Sequence, residues 1–427
     1  MKSRGSPDGF RLRATALACA LALACATPAG AVESAIVVSP VASTGADMGY
    51  GVGIDGTTLA LGAPGENDAA GAAYVVDCSA LPCGVPLRIA PAELVAGDAF
   101  GTALGVSGST LVVAAAGAVP GAAYVFVGDG VGWSQQAMLV PSGPSSGERF
   151  GQSVSVSGDR VAVGAGRIGV DGTGAVYVFA RSGTVWTEDA KLTAADGAPF
   201  DAFGTSVALD GDTLLVGAPF NASDAAGAYA NGAVYVFVRG AGGWTAQAKL
   251  TAASANGDLF GYAVDLAGDR AVIGAPSAAD AQGQAYVFSR SGTTWSQDAL
   301  LTTATGAAGD QLGWSVALGD DSIFVGAPFA GQANGAACGA SYAFDAASLG
   351  ETGGTTIIAP IAEDLAGWSV AASGVRWVTS APGHVVGNLV HAGAAYWFDP
   401  TVTIFHAGFD APGACIAPEN VSPRIAR

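Results

Sequence analysis

Apolar and polar positions along this chain follow one short pattern that returns seven times. In the fourth copy, Phe203 to Pro219, "FGTSVALDGDTLLVGAP" reads as a strand, a tight Asp-Gly turn and a second strand of nearly unbroken apolar residues. The other copies are "MGYGVGIDGTTLALGAP", "FGTALGVSGSTLVVAAA", "FGQSVSVSGDRVAVGAG", "FGYAVDLAGDRAVIGAP", "LGWSVALGDDSIFVGAP" and "AGWSVAASGVRWVTSAP". Their first glycines are Gly49, Gly101, Gly151, Gly204, Gly261, Gly313 and Gly367, and the residue opening the GAP-like triplet always follows thirteen positions later. A fixed spacing predicts a fixed hairpin.

Each copy is followed by G-x-x-Tyr, with tyrosines at 74, 124, 177, 235, 286, 342 and 396, so the unit recurs every 50 to 57 residues. A unit predicts four strands, worded in the fourth copy "TSVAL", "TLLVGA", "AVYVFVR" and "WTAQAKLTA". The second strand is apolar throughout, as strands buried on both faces are. Trp133, Trp186, Trp244 and Trp295 fall on the fourth, outer strands.

These repeats resemble FG-GAP repeats, similar to those in the propeller at the head of integrin α-subunits and in many exported bacterial proteins. The resemblance runs over residues 35 to 400 and implies an all-β, seven-bladed β-propeller of four-stranded antiparallel blades. Closure follows from the residues themselves. "AIVVSPVASTGADMG" parallels "AMLVPSGPSSGERFG", so Ile36–Val38 is a fourth strand without a blade of its own, while the last copy lacks its fourth strand. The N-terminal strand is expected to complete the last blade and remove the exposed edge.

Composition sharpens this outline. Only 12% of residues are charged and 64 of 427 are Gly, which suits extensive burial of strands against one another. Residues 1–31 carry Lys2, Arg4, Arg11 and Arg13, then an apolar run from Ala14 to Ala26, and read as a secretory signal peptide. Acylation of Cys25 in a lipoprotein signal is the rival reading, disfavoured by Ala22. The domain plan is therefore a signal at 1–31, a propeller at 32–400 and a tail at 401–427. A secreted, periplasmic or cell-surface location is expected, with no transmembrane segment and a monomeric state. Without residues 1–31 the chain holds 13 basic and 34 acidic residues, net −21. Nucleic acid and anionic membranes are disfavoured as partners, because phosphates need clustered Lys and Arg.

Outside the signal the cysteines are Cys78, Cys83, Cys338 and Cys415, an even number in an exported chain, read as two disulfides. Cys78 with Cys83 staples a hairpin, and Cys338 with Cys415 pins the tail by elimination.

Four features bear on chemistry. FG-GAP relatives often hold Ca²⁺ in an Asp-rich loop between the first two strands; Asp210, Gly211 and Asp212, like Asp55 and Gly56, make turns too tight for six oxygen ligands, so no metal and no cofactor is expected. Asp98, Glu148, Asp201, Asp258, Asp310 and Asp364 each stand two residues before the FG phenylalanine position. They predict either Asx-type turns or an acidic face that binds cations or cationic ligands. The longest loop between second and third strands offers Asn221, Asp224, Tyr229 and Asn231 for recognition. Motifs of hydrolases, zinc proteases and P-loop proteins are missing, and His384, His391 and His406 cluster late in the chain. The preferred reading is a non-catalytic recognition or adhesion propeller that binds a protein or glycan through its loop face. Its rivals are a lyase or glycosidase using loop-face carboxylates, and a purely structural envelope component.

Overall fold

A computed structural model describes residues 33–399, except 144–147, 167–172, 222–230, 253–256, 305, 332–336, 350–356 and 359–362. The predicted signal peptide, the tail with Cys415 and His406, and loop residues Asp224 and Tyr229 lie outside the described residues. Seven four-stranded antiparallel sheets form a seven-bladed propeller. Blade 4 shows the plan: Ser206–Asp210, Thr213–Ala218, Ala233–Gly240 and Gly243–Leu250, from innermost to outermost. Its second strand is buried at every residue, and its outer strand is mostly exposed or half-buried. This is the gradient that blades packed face to face require.

Blade 7 combines Val370–Ser373, Arg376–Ala381 and Ala394–Phe398 with the N-terminal strand Glu33–Val38, which pairs antiparallel to the third of these, Ile36 opposite Tyr396. The ring therefore closes by joining the two ends of the described chain, as the N-terminal pattern predicts. Fourth strands hold seven or eight residues in blades 2 to 5, and three, Leu87–Ile89, in blade 1.

The physical content of the repeat lies in two glycines. The glycine after the FG phenylalanine position has φ between 86° and 103° in all seven blades. It occupies the third place of a four-residue turn whose last N–H bonds the first carbonyl, as in Thr205 to Ala202 at 3.1 Å. A type II turn demands positive φ at that place, and glycine supplies it without strain. The first glycine of GAP answers to a neighbour instead. A Cβ on Gly217 would lie 2.0 Å from the carbonyl oxygen of Gly261 in the next blade, and Gly62, Gly164, Gly274 and Gly326 face the same clash at 1.9 to 2.1 Å. Blade spacing is thus set backbone against backbone.

The phenylalanine beside the turn anchors each blade. Phe100, Phe150, Phe203 and Phe260 are wholly buried and meet the Tyr and Phe of their own third strand edge to face, with centroids 5.3 to 6.1 Å apart. Blade 7 has Ala366 there, and Trp377 stacks between Phe324 and Phe398 at 4.5 and 4.2 Å. On the outer strands, Trp186, Trp244 and Trp295 donate their indole N–H to Gln136, Asp189 and Gln247 of the preceding blade.

Cys78 and Cys83 form the expected disulfide between the third and fourth strands of blade 1. Cys338 is also disulfide-bonded. Among the described residues, no helix is long and apolar enough to cross a membrane.

Candidate ligand-binding site

The two faces of the ring use their turns differently. On the face of the short hairpins, the N–H of one turn's glycine donates to the turn of the preceding blade. Gly108 donates to Asp55 at 2.5 Å, Gly158 to Ser107, Gly211 to Ser157, Gly268 to Asp210 at 2.7 Å and Gly56 to Ser373 of blade 7. Asp212 forms an ion pair with Arg160 at 3.1 Å. Asp55 and Asp210 thus strap blades together, and these two-residue turns do not fit a Ca²⁺ shell. No group of three or more metal-capable side chains occurs among the described residues.

On the opposite, loop face the repeated acidic positions turn inward. Asp98, Asp201 and Asp310 each accept the backbone N–H three residues earlier, from Val95, Ala198 and Ala307, all at 2.8 Å. Asp201, Asp258, Asp310 and Asp364 are at most 6% exposed. Asp364 bonds Nδ1 of His384 at 3.0 Å, and its other oxygen has no partner; burial pushes its carboxyl up and His384 opposes this. Glu148 accepts from the Tyr177 hydroxyl at 2.7 Å and pairs with Lys191 at 3.2 Å. Asp98, Asp201 and Asp310 are therefore turn-closers, because a short carboxylate at the end of a tight turn folds back onto the N–H of the residue that opens it. Asn221 is equally withdrawn: 3% exposed, it donates to Asp201 at 2.7 Å. Asn231 accepts from the N–H of Gly257.

The structure assembles another set in their place. The residue directly after each FG glycine closes the type II turn with its own N–H and points its side chain to the mouth of the central channel. These seven are Tyr50, Thr102, Gln152, Thr205, Tyr262, Trp314 and Trp368, and all seven line one cavity of about 1160 Å³ on the loop face. Blades 5, 6, 7 and 1 contribute the aromatics, which form a continuous arc. Tyr262 and Trp314 have centroids 4.8 Å apart and planes turned by 45°; Trp314 and Trp368, 5.0 Å and 49°; Trp368 and Tyr50, 5.3 Å and 52°. The step between blades of a seven-membered ring is about 51°, so each ring holds nearly the same pose on its own blade. Phe329 backs Trp314 at 5.4 Å.

Blades 2, 3 and 4 give the other half of the mouth its uncharged polar character through Thr102, Gln152 and Thr205. The two threonine hydroxyls donate to Ala99 and Ala202 carbonyls, fixing their rotamers and leaving oxygen lone pairs free. Gln152 Oε1 is buried without a partner. Arg149, exposed at this rim, makes no ion pair among the described residues, whereas Asp47 lies 3.6 Å from His391. Burial pushes the Tyr262 phenol up to about 12 and raises that of Tyr50, so both stay protonated near neutrality. Deeper in the ring, Asp265 on Ala263–Ala267 of blade 5 accepts N–H groups from Leu266 and from Leu318 of blade 6, and burial pushes its carboxyl up to about 6.

Of the described residues singled out in the sequence, only Glu148 lines this cavity. The signal for the mouth was present in the seven quoted strings, in the third letters Y, T, Q, T, Y, W and W.

The FG-GAP repeat family matches residues 133–179, 186–237, 244–288 and 295–344, each match starting at an outer-strand tryptophan and ending in the next blade's third strand. No curated protein matches the chain in sequence. Among solved structures, the crystal structure of Saccharomyces cerevisiae Sqt1 superposes with a TM-score of 0.50 at 10% identity, covering 86% of this chain and 99% of that one. At that identity the likeness is one of fold.

Proposed function

Since this chain is an FG-GAP propeller protein, we propose that it is a non-catalytic recognition module, exported through residues 1–31, that binds a protein or glycan partner at the mouth of its loop face. One observation carries this reading: a single repeat position places four contiguous aromatic rings opposite three uncharged polar side chains around one cavity. Recognition sites combine apolar walls with a few placed polar groups in this way. Catalysis by loop-face carboxylates has less support, since Asp201, Asp258, Asp310 and Asp364 are buried.

The test is a screen of immobilised glycans and extracellular proteins with the full chain and with the double variant Trp314→Ala, Trp368→Ala, with and without chelator. The expected outcome is capture of at least one ligand by the wild type, insensitive to chelator and lost in the variant. Capture that survives the double substitution would move recognition away from the mouth.

A further inference from the structure

Resting on that reading, we propose that the mouth takes an uncharged saccharide whose pyranose rings carry mainly equatorial hydroxyls. Such a sugar shows C–H hydrogens on its faces and hydroxyls around its edge. It therefore calls for an aromatic wall on one side and uncharged hydrogen-bonding side chains on the other, which is the division found between the Tyr262–Trp314–Trp368–Tyr50 arc and the Thr102–Gln152–Thr205 side.

Size, charge and hydrogen bonding each narrow the guest. Centroids about 5 Å apart on a sevenfold step lie on a circle of roughly 6 Å radius, so the space inside the arc is less than about 12 Å across. An α-helix with its side chains, about 10–12 Å across, does not enter; a sugar ring does. A cationic guest would find Glu148 already held by Lys191 and Tyr177 and would be repelled by Arg149, so Asp47 beside His391 is the one carboxylate the described lining offers it. An acidic chain would meet one unpaired Arg on a protein of net charge −18.

An extended peptide gains much of its affinity from main-chain hydrogen bonds. All seven mouth residues have already spent their N–H inside their own turns, for example Trp314 to Gln311 and Trp368 to Leu365, both at 3.2 Å. Recognition here runs through side chains. The phenols of Tyr50 and Tyr262 and the indole N–H groups of Trp314 and Trp368 have no hydrogen-bond partner among the described residues, in contrast to Trp186, Trp244 and Trp295. These are free donors along the rim of an otherwise apolar wall.

The experiment is calorimetric and fluorescence titration of the full chain with cellohexaose and chitohexaose, alongside an oligogalacturonate and a proline-rich peptide as charged and peptidic probes. Saturable binding of a neutral hexaose is expected, with at least tenfold weakening in Trp314→Ala and in Trp368→Ala, about 1.4 kcal/mol or more, and partial recovery in Trp368→Phe. Unchanged thermal melts keep misfolding apart from lost contact. No binding of either neutral hexaose, or binding indifferent to both tryptophans, overturns the saccharide assignment. Mouth-dependent binding of the peptide or the galacturonate alone also overturns it while leaving the recognition reading intact, whereas a mouth that captures nothing in the wider screen ends both.

Discussion

Gly204 and Thr205 are neighbours in the chain but belong to two rings under opposite constraints. The glycine ring sits where positive φ is obligatory and the preceding blade's backbone stands within 2.1 to 3.2 Å of any added carbon. The adjacent ring faces open space, and there the same backbone position carries Thr, Gln, Tyr or Trp. Packing dictates the first residue, and contact with a guest is free to choose the second. This separation lets half of the mouth become aromatic without disturbing a single blade.

The sharpest attempt to break the contrast is Gly217→Val. Its Cβ would fall 2.0 Å from the Gly261 carbonyl oxygen, so two blades must part. A loss of at least about 3 kcal/mol is expected in urea unfolding, through overpacking and displaced backbone. Wild-type stability would show that blade spacing is not fixed at this contact.

Asp265 probes the channel below the mouth. Its native carboxyl is raised, so the folded state holds the proton more tightly than the unfolded chain does. Stability present below about pH 4 is therefore lost as pH rises through about 6, by roughly 3 kcal/mol, and Asp265→Asn should flatten that slope. Urea midpoints measured from pH 3.5 to 7 decide the matter; equal slopes in both proteins would assign the pH dependence to other groups.

The smallest effect belongs to the mouth itself. Thr205→Ala removes the hydroxyl's hydrogen bond to Ala202 and should lower stability by only about 1 kcal/mol. A loss comparable to that of Gly217→Val, one strand away in the same blade, would erase the distinction between the two rings.

Most of the fold was legible because it repeats. Thirteen-residue spacing and the apolar second strand state a local pairing that seven-fold recurrence makes unambiguous, and the unpaired Ile36–Val38 matches the fourth strand missing from the last copy. The site was less legible because sequence shows residue type without direction. Asp201 and Asn221 look like surface recognition groups, but the turn beginning at Ala198 draws Asp201 inward and Asn221 follows it. Tyr50 and Trp368 stand at opposite ends of the chain, and only closure of the ring sets them 5.3 Å apart. An aromatic arc spanning blades 5 to 7 and then blade 1 is invisible to any reading that treats the chain as a line.

The closing strand also imposes an order in time. A chain leaving the ribosome N-terminus first presents Glu33–Val38 before any of its partners exist, and its mate Ala394–Phe398 comes last of all the described strands. Until then the strand waits with unpaired backbone groups while six blades assemble around an open ring. Contacts of such long range make folding slow and leave a sticky edge exposed meanwhile. Severing the chain between two interior blades and joining the present ends by a short linker would convert this last, most distant pairing into a hairpin, so that blade 7 would be complete before the ring closes at the new break.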